Sequence, residues 1–207
     1  MSGIKMERLL PQLCMRLTIP PGSDLSEPSI PFGYELRSYE SGDELRWANL
    51  LNQGEFGQKF NPQRVREYME VPERRAGSRI VVKDGNLLAS TFATMQDEAE
   101  NLASLDYVVS HPDHRGLGLG RIVCESVVKY CVDIGRNDII LHSDDWRLPA
   151  LGLYLSMGFV PNLICATDVH VQCPKDPEAQ DLVEREGSIQ KRWIAVRQKL
   201  SERDGLN

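Results

Sequence analysis

The stretch "VVSHPDHRGLGLGRIV", residues 108–123, decides how this sequence is interpreted. Three glycines, Gly116, Gly118 and Gly120, stand on alternate positions between two arginines. An apolar run typical of a β-strand precedes them, and a segment with helical periodicity follows. Glycine has no Cβ and tolerates positive φ, so backbone amides at the start of that helix can converge on a ligand. The stretch predicts an anion-binding turn between a strand and a helix.

A phosphate is the anion that such a turn favours. The first N–H groups of a helix have no partner inside it, and the aligned peptide dipoles add about half a positive charge there. Arg115 and Arg121 add full charges on either side. The spacing is neither that of a P-loop, which needs Lys and then Ser or Thr, nor the G-x-G-x-x-G of a dinucleotide-binding turn. A glycine-rich turn that serves only the path of the chain is the alternative.

The length, composition and net charge of the chain indicate a globular protein with its own core. It has 207 residues, 41% of them hydrophobic and 26% charged, which suits one domain with extensions. A formal net charge of -6 argues against nucleic acid or an anionic membrane as the partner. No apolar run approaches the ~20 residues of a transmembrane helix, and the N-terminus lacks the apolar stretch of a signal peptide, so we expect a cytoplasmic protein.

Cysteine and histidine usage predicts no metal site. The five cysteines include no C-x-x-C pair, which argues against a disulfide framework and against a thiolate zinc site. The four histidines lack H-x-x-x-H spacing. Cys124 and Cys131, seven residues apart on a predicted helix, are expected in the core.

The rest of the chain predicts a mixed α/β sheet. Asp84-Gly85 between two apolar runs is typical of a hairpin, and Ser41 with Glu44 predicts a capping box at the first helix. The order is strand, two helices, three strands, helix, strand, helix, strand, with a short strand at 12–17 before it and a charged amphipathic helix outside the core after it. The segments are 34–39, 43–53, 61–70, two strands within 78–96, 103–109, 121–135, 138–143, 148–158, 159–172 and, for the last helix, 178–203.

Two motifs together resemble a known family. "HPDHRGLGLGR" resembles the pyrophosphate-binding signature R/Q-x-x-G-x-G/A of the GNAT superfamily of acyl-CoA-dependent N-acyltransferases, with Arg115, Gly118 and Gly120 at its fixed positions. "LPALGLYLSMGFVP" resembles the later motif of that family, and the matching residues are Ala150, Leu153, Tyr154, Gly158 and Phe159.

The resemblance covers about residues 34–165 and implies a fold. That fold is α/β, with a GNAT-like mixed, mostly antiparallel central sheet splayed after the fourth strand and helices on both faces. The GNAT domain would occupy 34–165, between an N-terminal extension, 1–33, and a C-terminal strand and amphipathic helix, 166–207.

The resemblance also implies a cofactor site. Acetyl-CoA would be the co-substrate, its pantetheine arm lying along the strand at the split and its diphosphate on the glycine turn. The residues expected to bind it are Val108, Val109, Ser110, Arg115, Gly116, Leu117, Gly118, Leu119, Gly120 and Arg121. His114, next to the turn, is expected to be a loop residue.

Acyl transfer from a thioester to an amine needs a base that accepts the amine proton and an acid that protonates the departing sulfur. In the resemblance, Tyr154 matches a tyrosine that donates its proton to the departing sulfur; a half-buried core tyrosine is the alternative. Asp106 is the candidate base, with Glu98, Glu100, Asp144 or a water chain as competitors. Alternation along the strand divides its side chains between two faces, Asp106, Val108 and Ser110 on one and Leu105, Tyr107 and Val109 on the other. A bulge would undo that division.

One position departs from the family pattern. Where the family often has asparagine seven residues before the tyrosine, this chain has Arg147, which could instead reach a phosphate or the substrate. Trp146 beside it either lines the acceptor pocket or simply packs.

The function that follows is N-acetyl transfer from acetyl-CoA directly to a primary amine, expected to belong to a small molecule. The alternatives are a non-catalytic acyl-CoA-binding sensor and a protein or peptide N-acetyltransferase. Neither nucleic acid nor membrane is expected as a partner, and a homodimer is left open.

Overall fold

The computed structural model describes residues 12–54, 56–97, 101–163 and 179–204. The chain divides into two compact units, 17–141 and 1–16 with 142–207. No helix in the described ranges is long and apolar enough to cross a membrane. The strands are β1 (Leu13–Thr18), β2 (Glu35–Arg37), β3 (Ser78–Lys83), β4 (Asn86–Asp97), β5 (Leu102–Ser110), β6 (Asp138–Ser143) and β7 (Val160–Asn162). The helices are α1 (Glu44–Leu51), α2 (Pro62–Met69), α3 (Pro72–Ala76), α4 (Leu119–Asp133), α5 (Leu148–Ser156) and α6 (Ala179–Asp204).

The unit 17–141 contains an open mixed sheet with the strand order β2-β3-β4-β5-β6. The first three pairings are antiparallel, and β5 with β6 is parallel. A parallel neighbour requires a crossover connection, which α4 supplies between β5 and β6. The predicted mixed, mostly antiparallel α/β sheet is confirmed.

Helices cover both faces of this sheet. On one face, Ile80, Phe92 and Val109 pack with Trp47 of α1 in a single apolar cluster that also takes in α2. On the other face, Arg79 donates to the Ser126 hydroxyl of α4 at 2.9 Å. Consecutive β3 residues therefore face different helices, as the period of two in a strand requires. The expectation of helices on both faces is confirmed.

The sheet opens between β5 and β6. The two strands pair only from Leu102–Ser104 to Asp138–Ile140, although β5 continues to Ser110. Counted from β2, β5 is the fourth strand, so the predicted splay is confirmed. The second half of β5 consequently has one edge without a strand partner among the described residues.

The start of α1 differs from the capping-box prediction, which is wrong. The helix begins at Glu44 with Asp43 as its N-cap, not Ser41. The buried Asp43 carboxylate accepts from Arg37 and Arg46, both at 2.7 Å. Burial alone would raise the pKa of Asp43, but the hydrogen bonds from Arg37 and the Glu40 N–H, with the charges of both arginines, hold it below its usual value. Charge pairing inside the fold thus outweighs the local capping pattern.

Other local signals gave the expected elements. Asp84 and Gly85 both have positive φ, 49° and 75°, and join β3 to β4 as a hairpin turn. Asn61 caps α2, accepting from the Arg64 N–H at 2.8 Å, with Pro62 in its first turn. The five-residue α3 was not predicted, because so short a segment shows no periodicity.

In the other unit, β1 pairs antiparallel with β7, and α5 lies against α6. An added Cβ at Gly152 would lie 3.3 Å from Leu200, so glycine permits this close approach. Asp145 accepts two hydrogen bonds from Arg192 of α6, which lowers its pKa. Trp193 and Leu200 are buried whereas Ile194 is exposed, so α6 is amphipathic, as predicted. Its apolar face packs within its unit, so the expectation that the helix lies outside the core is wrong. Beyond Leu163, the strand predicted over 159–172 lies outside the described residues.

Candidate functional site

The glycine turn leads directly into α4. Gly116 and Gly118 have φ of 80° and 75°, the left-handed region in which side chains are disfavoured. No heavy atom lies within 4 Å of the position that a Cβ would take at either residue. The turn therefore borders open space that a side chain would occupy.

The N-terminus of α4 faces this turn without a side-chain cap. Gly118 is the N-cap, and its carbonyl accepts the first helical hydrogen bond from Ile122 at 3.0 Å. Leu119 is 1% exposed and anchors the helix in the core, whereas Leu117 is 49% exposed. Over 15 residues, the peptide dipoles of α4 concentrate partial positive charge at this end. The arrangement can bind an anion such as a diphosphate.

Charged side chains flank the turn as predicted. Arg115 is exposed and follows a single 3₁₀ turn, Pro112–His114. Arg121 pairs with Glu125 one helical turn later at 3.0 Å, so part of its charge is already neutralised. His114 contacts the Tyr34 hydroxyl at 3.2 Å and lies in the loop, as expected.

A β-bulge interrupts β5 at the centre of the candidate site. Ser90 pairs with Val109 and Phe92 with Asp106. The stretch 106–109 of β5 therefore contains one residue more than the stretch 90–92 of β4 that it faces. Tyr107 takes up the extra residue with φ of 51°. Because residues opposite each other share a face, Asp106 lies on the face of Phe92 and Val109. The division that put Asp106 opposite Tyr107 and Val109 is therefore wrong, and the bulge is the physical reason.

The unpaired edge of β5 includes Val108, Val109 and Ser110. Pairing with β6 has ended at Ser104, while pairing with β4 continues to Ser110. An extended ligand could add to such an edge through main-chain hydrogen bonds. The three residues remain candidate cofactor contacts through their backbone.

The bulge places Tyr107 in an aromatic cluster that the sequence analysis missed. Its hydroxyl accepts from Gln58 at 2.9 Å and lies 3.1 Å from the Tyr68 hydroxyl. Burial and then the hydrogen bond with Tyr68 raise the pKa of Tyr107 to about 12. Phe56 and Phe60, in the short link between α1 and α2, were the sequence feature that could have indicated this cluster. The rings that meet the Tyr107 ring are Phe56, Phe60, Tyr68 and Phe92.

The candidate base lies beside this cluster. The Asp106 carboxylate is half-buried and accepts from the Ser104 hydroxyl at 2.8 Å. Among its competitors, Asp144 belongs to the other unit and is ion-paired with Arg147 at 2.9 Å. Glu98 and Glu100 lie outside the described residues.

The candidate acid lies in the unit that contains α5. Tyr154 is buried, and its ring meets that of Phe159 edge to face, with the centroids 6.0 Å apart. Arg147, whose Cζ lies 4.3 Å from the Trp146 ring centroid, caps the start of the same helix. Trp146 is largely exposed.

The model of one protein family matches residues 43–159, which include the glycine turn, both strands at the split and α5. Its description is the acetyltransferase (GNAT) family, and the match covers more than half of the chain. The chain belongs to the GNAT family.

GNAT relatives of known sequence include mycothiol acetyltransferases. That of Thermomonospora curvata is 29% identical over 163 residues, 73% of this chain and 52% of the relative. That of Streptomyces coelicolor is 28% identical and covers 76% and 52%. This chain thus spans about half the length of these relatives.

Solved GNAT structures share the fold. A GCN5-related N-acetyltransferase from Sphaerobacter thermophilus superposes with a TM-score of 0.61 at 15% identity, over 74% of this chain and 50% of that one. A Trypanosoma brucei acetyltransferase gives 0.51 at 20% identity, over 67% and 99%. At such identities the likeness concerns the fold.

The residues of this chain fit the co-substrate that a GNAT protein requires. Gly116 and Gly118 leave space where side chains would block a diphosphate, and the uncapped α4 terminus offers amides to it. The open edge of β5 suits an extended amide-bearing arm. Residues in the turn and on β5 could therefore hold the diphosphate and the extended arm of coenzyme A.

Proposed function

We propose that this protein is an N-acetyltransferase that uses acetyl-CoA and acetylates the primary amine of a small molecule. The observation that carries the proposal is the open, glycine-lined N-terminus of α4 beside the unpaired half of β5. Together they offer one place for a diphosphate and another for an extended thioester arm. Membership of the GNAT family supports acetyl transfer as the reaction.

In the proposed reaction, acetyl-CoA supplies an activated acyl group as a thioester. A C–N bond forms, the C–S bond breaks, and the amine proton is accepted by Asp106 directly or through water. Tyr154 donates its phenolic proton to the departing thiolate. A backbone N–H of β5 near Val109 polarises the acyl oxygen, since fixed amides stabilise negative charge that develops there.

Transfer without a covalent acyl-enzyme is part of the proposal. Cys124 and Cys131 are buried in the core, as predicted. Burial raises the pKa of both thiols, which keeps them protonated and poorly nucleophilic. Since neither the glycine turn nor α5 contains a cysteine, we expect both reactants to bind together, and their proximity to lower the barrier.

Release of free coenzyme A thiol tests the proposed function. With acetyl-CoA and a panel of primary amines, thiol is expected to appear in proportion to N-acetylated product identified by mass spectrometry. The control is a matched panel of tertiary amines, which cannot form a stable amide. Tight acetyl-CoA binding with no product from any amine contradicts the proposal and indicates a sensor. Product only with peptides contradicts the small-molecule acceptor.

Asp106→Asn is expected to lower kcat/KM about 100-fold at neutral pH, because the amine then lacks its proton acceptor. Asp84→Asn, an exposed hairpin residue, is the matched control and should leave activity unchanged. An unchanged kcat/KM in Asp106→Asn would remove this residue from the mechanism.

A further inference from the structure

An open depression of about 580 Å³ lies on the α2 and α3 side of the unit 17–141. It is not the glycine turn, and its lining is polar. Two of the lining residues are arginines, and Glu67 is the single carboxylate among them. The residues that line it are Asn61, Gln63, Arg64, Glu67, Tyr68 and Arg74.

Neither arginine forms an ion pair with a carboxylate among the side chains that the structure describes. Arg64 donates to the amide oxygen of Gln58 at 2.6 Å, and Arg74 to the Thr94 hydroxyl at 3.2 Å. Both are half-buried. Nearby Arg66, by contrast, is paired with Glu44 at 3.6 Å. Arginines that line an open depression without a carboxylate partner have donors available to an anionic ligand.

The guanidinium groups of Arg64 and Arg74 both lie near the ring of Tyr68. The Cζ atom of Arg64 lies 5.9 Å from the centroid of the Tyr68 ring, and that of Arg74 lies 5.5 Å from it. Each guanidinium has five N–H donors, of which the contacts above use one. Glu67 accepts from Gln63 at 3.0 Å rather than from either arginine. The depression therefore keeps a net positive charge and several donors for a ligand.

Two short chains of contacts connect this depression to the bulge in β5. Tyr68 contacts Tyr107, the bulged residue, through their hydroxyls at 3.1 Å. Thr94, the partner of Arg74, pairs across the sheet with Ser104, whose hydroxyl donates to Asp106. A ligand held by the arginines would thus lie on the same face of the sheet as the proposed base.

We infer that the amine acceptor carries an anionic oxygen group, a carboxylate or a phosphate, which Arg64 and Arg74 bind beside Tyr68. This inference rests on the proposed function, because it names the acceptor class of the same reaction. Arginine suits this task because its planar donors match both oxyanions in bidentate geometry.

Paired acceptors that differ only in the anion test it. In the wild-type protein, kcat/KM for 4-aminobutyrate or 2-aminoethyl phosphate should exceed that for 4-aminobutyramide or ethanolamine, respectively, by about tenfold or more. The Arg64→Gln/Arg74→Gln double variant should lose this preference, because kcat/KM falls for the anionic amines. Arg66→Gln, which removes one charge from the same helix, is the control and should keep the preference. Equal kcat/KM within both pairs, or a preference that survives in the double variant, overturns the inference while leaving acetyl transfer intact.

A binding measurement separates this inference from the proposed function. In NMR spectra, the side-chain Nε–Hε signals of Arg64 and Arg74 should shift on titration with at least one of the two anionic amines. They should not shift with the uncharged partner. The anion that binds more tightly identifies the group as carboxylate or phosphate. Absence of a shift with both anions overturns the inference whether or not any amine is acetylated, and a shift without turnover supports the anion site while contradicting acetyl transfer.

Discussion

Gly118→Asp is expected to weaken acetyl-CoA binding at least about 100-fold. The new carboxylate would enter the open space at the N-terminus of α4, where it would repel a diphosphate and compete for the same amides. The residue has φ of 75°, so a side chain also costs about 1–2 kcal/mol of backbone strain, which lowers stability in the free and bound protein alike. Isothermal titration calorimetry with acetyl-CoA measures the effect.

Gly135→Asp is the matched control for this experiment. Gly135 follows the other end of α4, has φ of 80°, and its Cβ position also meets no atom within 4 Å. The substitution therefore brings similar strain and the same charge, but far from the glycine turn. Its Kd for acetyl-CoA should be close to that of the wild type. If both variants bind alike, the glycine turn is not the diphosphate site, and the proposed function loses its main support.

Tyr154→Phe is expected to lower kcat about 100-fold and to leave the Kd for acetyl-CoA almost unchanged. General acid catalysis contributes about 100-fold or more to rates, and phenylalanine has no proton to give the thiolate. Phenylalanine keeps the ring volume and the edge-to-face contact with Phe159, so the fold of the unit should survive. Stopped-flow detection of thiol release gives kcat, and calorimetry gives the Kd.

Tyr130→Phe supplies the control, since Tyr130 is a half-buried tyrosine of α4 on the side of Arg79. It removes a phenolic hydroxyl away from the glycine turn and should leave kcat unchanged. A Tyr154→Phe variant with kcat within about twofold of the wild type would show that another group protonates the thiolate, and the tyrosine would leave the mechanism.

Local patterns predicted the elements where the chain decides its own conformation. Asp84-Gly85 turned as a hairpin, because both positions accept positive φ. Asn61 and Pro62 began α2, because a side-chain cap and a fixed φ act within one turn. Gly116 and Gly118 adopt the left-handed conformation because glycine has no Cβ, which is also a property of the residue itself.

Features that depend on distant partners could not be predicted in the same way. Ser41 and Glu44 formed no capping box, because Asp43 is held by Arg37 and Arg46 inside the fold. The opening of the sheet after β5 was predicted from the family resemblance rather than from any pattern within either strand, and only the structure shows that β5 and β6 pair over three residues.

The sequence by itself determined the glycine turn before α4, the order of most elements and the family, because each rests on short-range backbone preferences and spacing. Only the tertiary structure decided which side chains meet around the bulge in β5. One extra residue at Tyr107 reverses the facing of every residue beyond it, and the alternation of a strand cannot reveal such a bulge. The gathering of Arg64 and Arg74 on Tyr68 likewise requires α2 and α3 to pack on the sheet, since residues 64 and 74 lie on different helices.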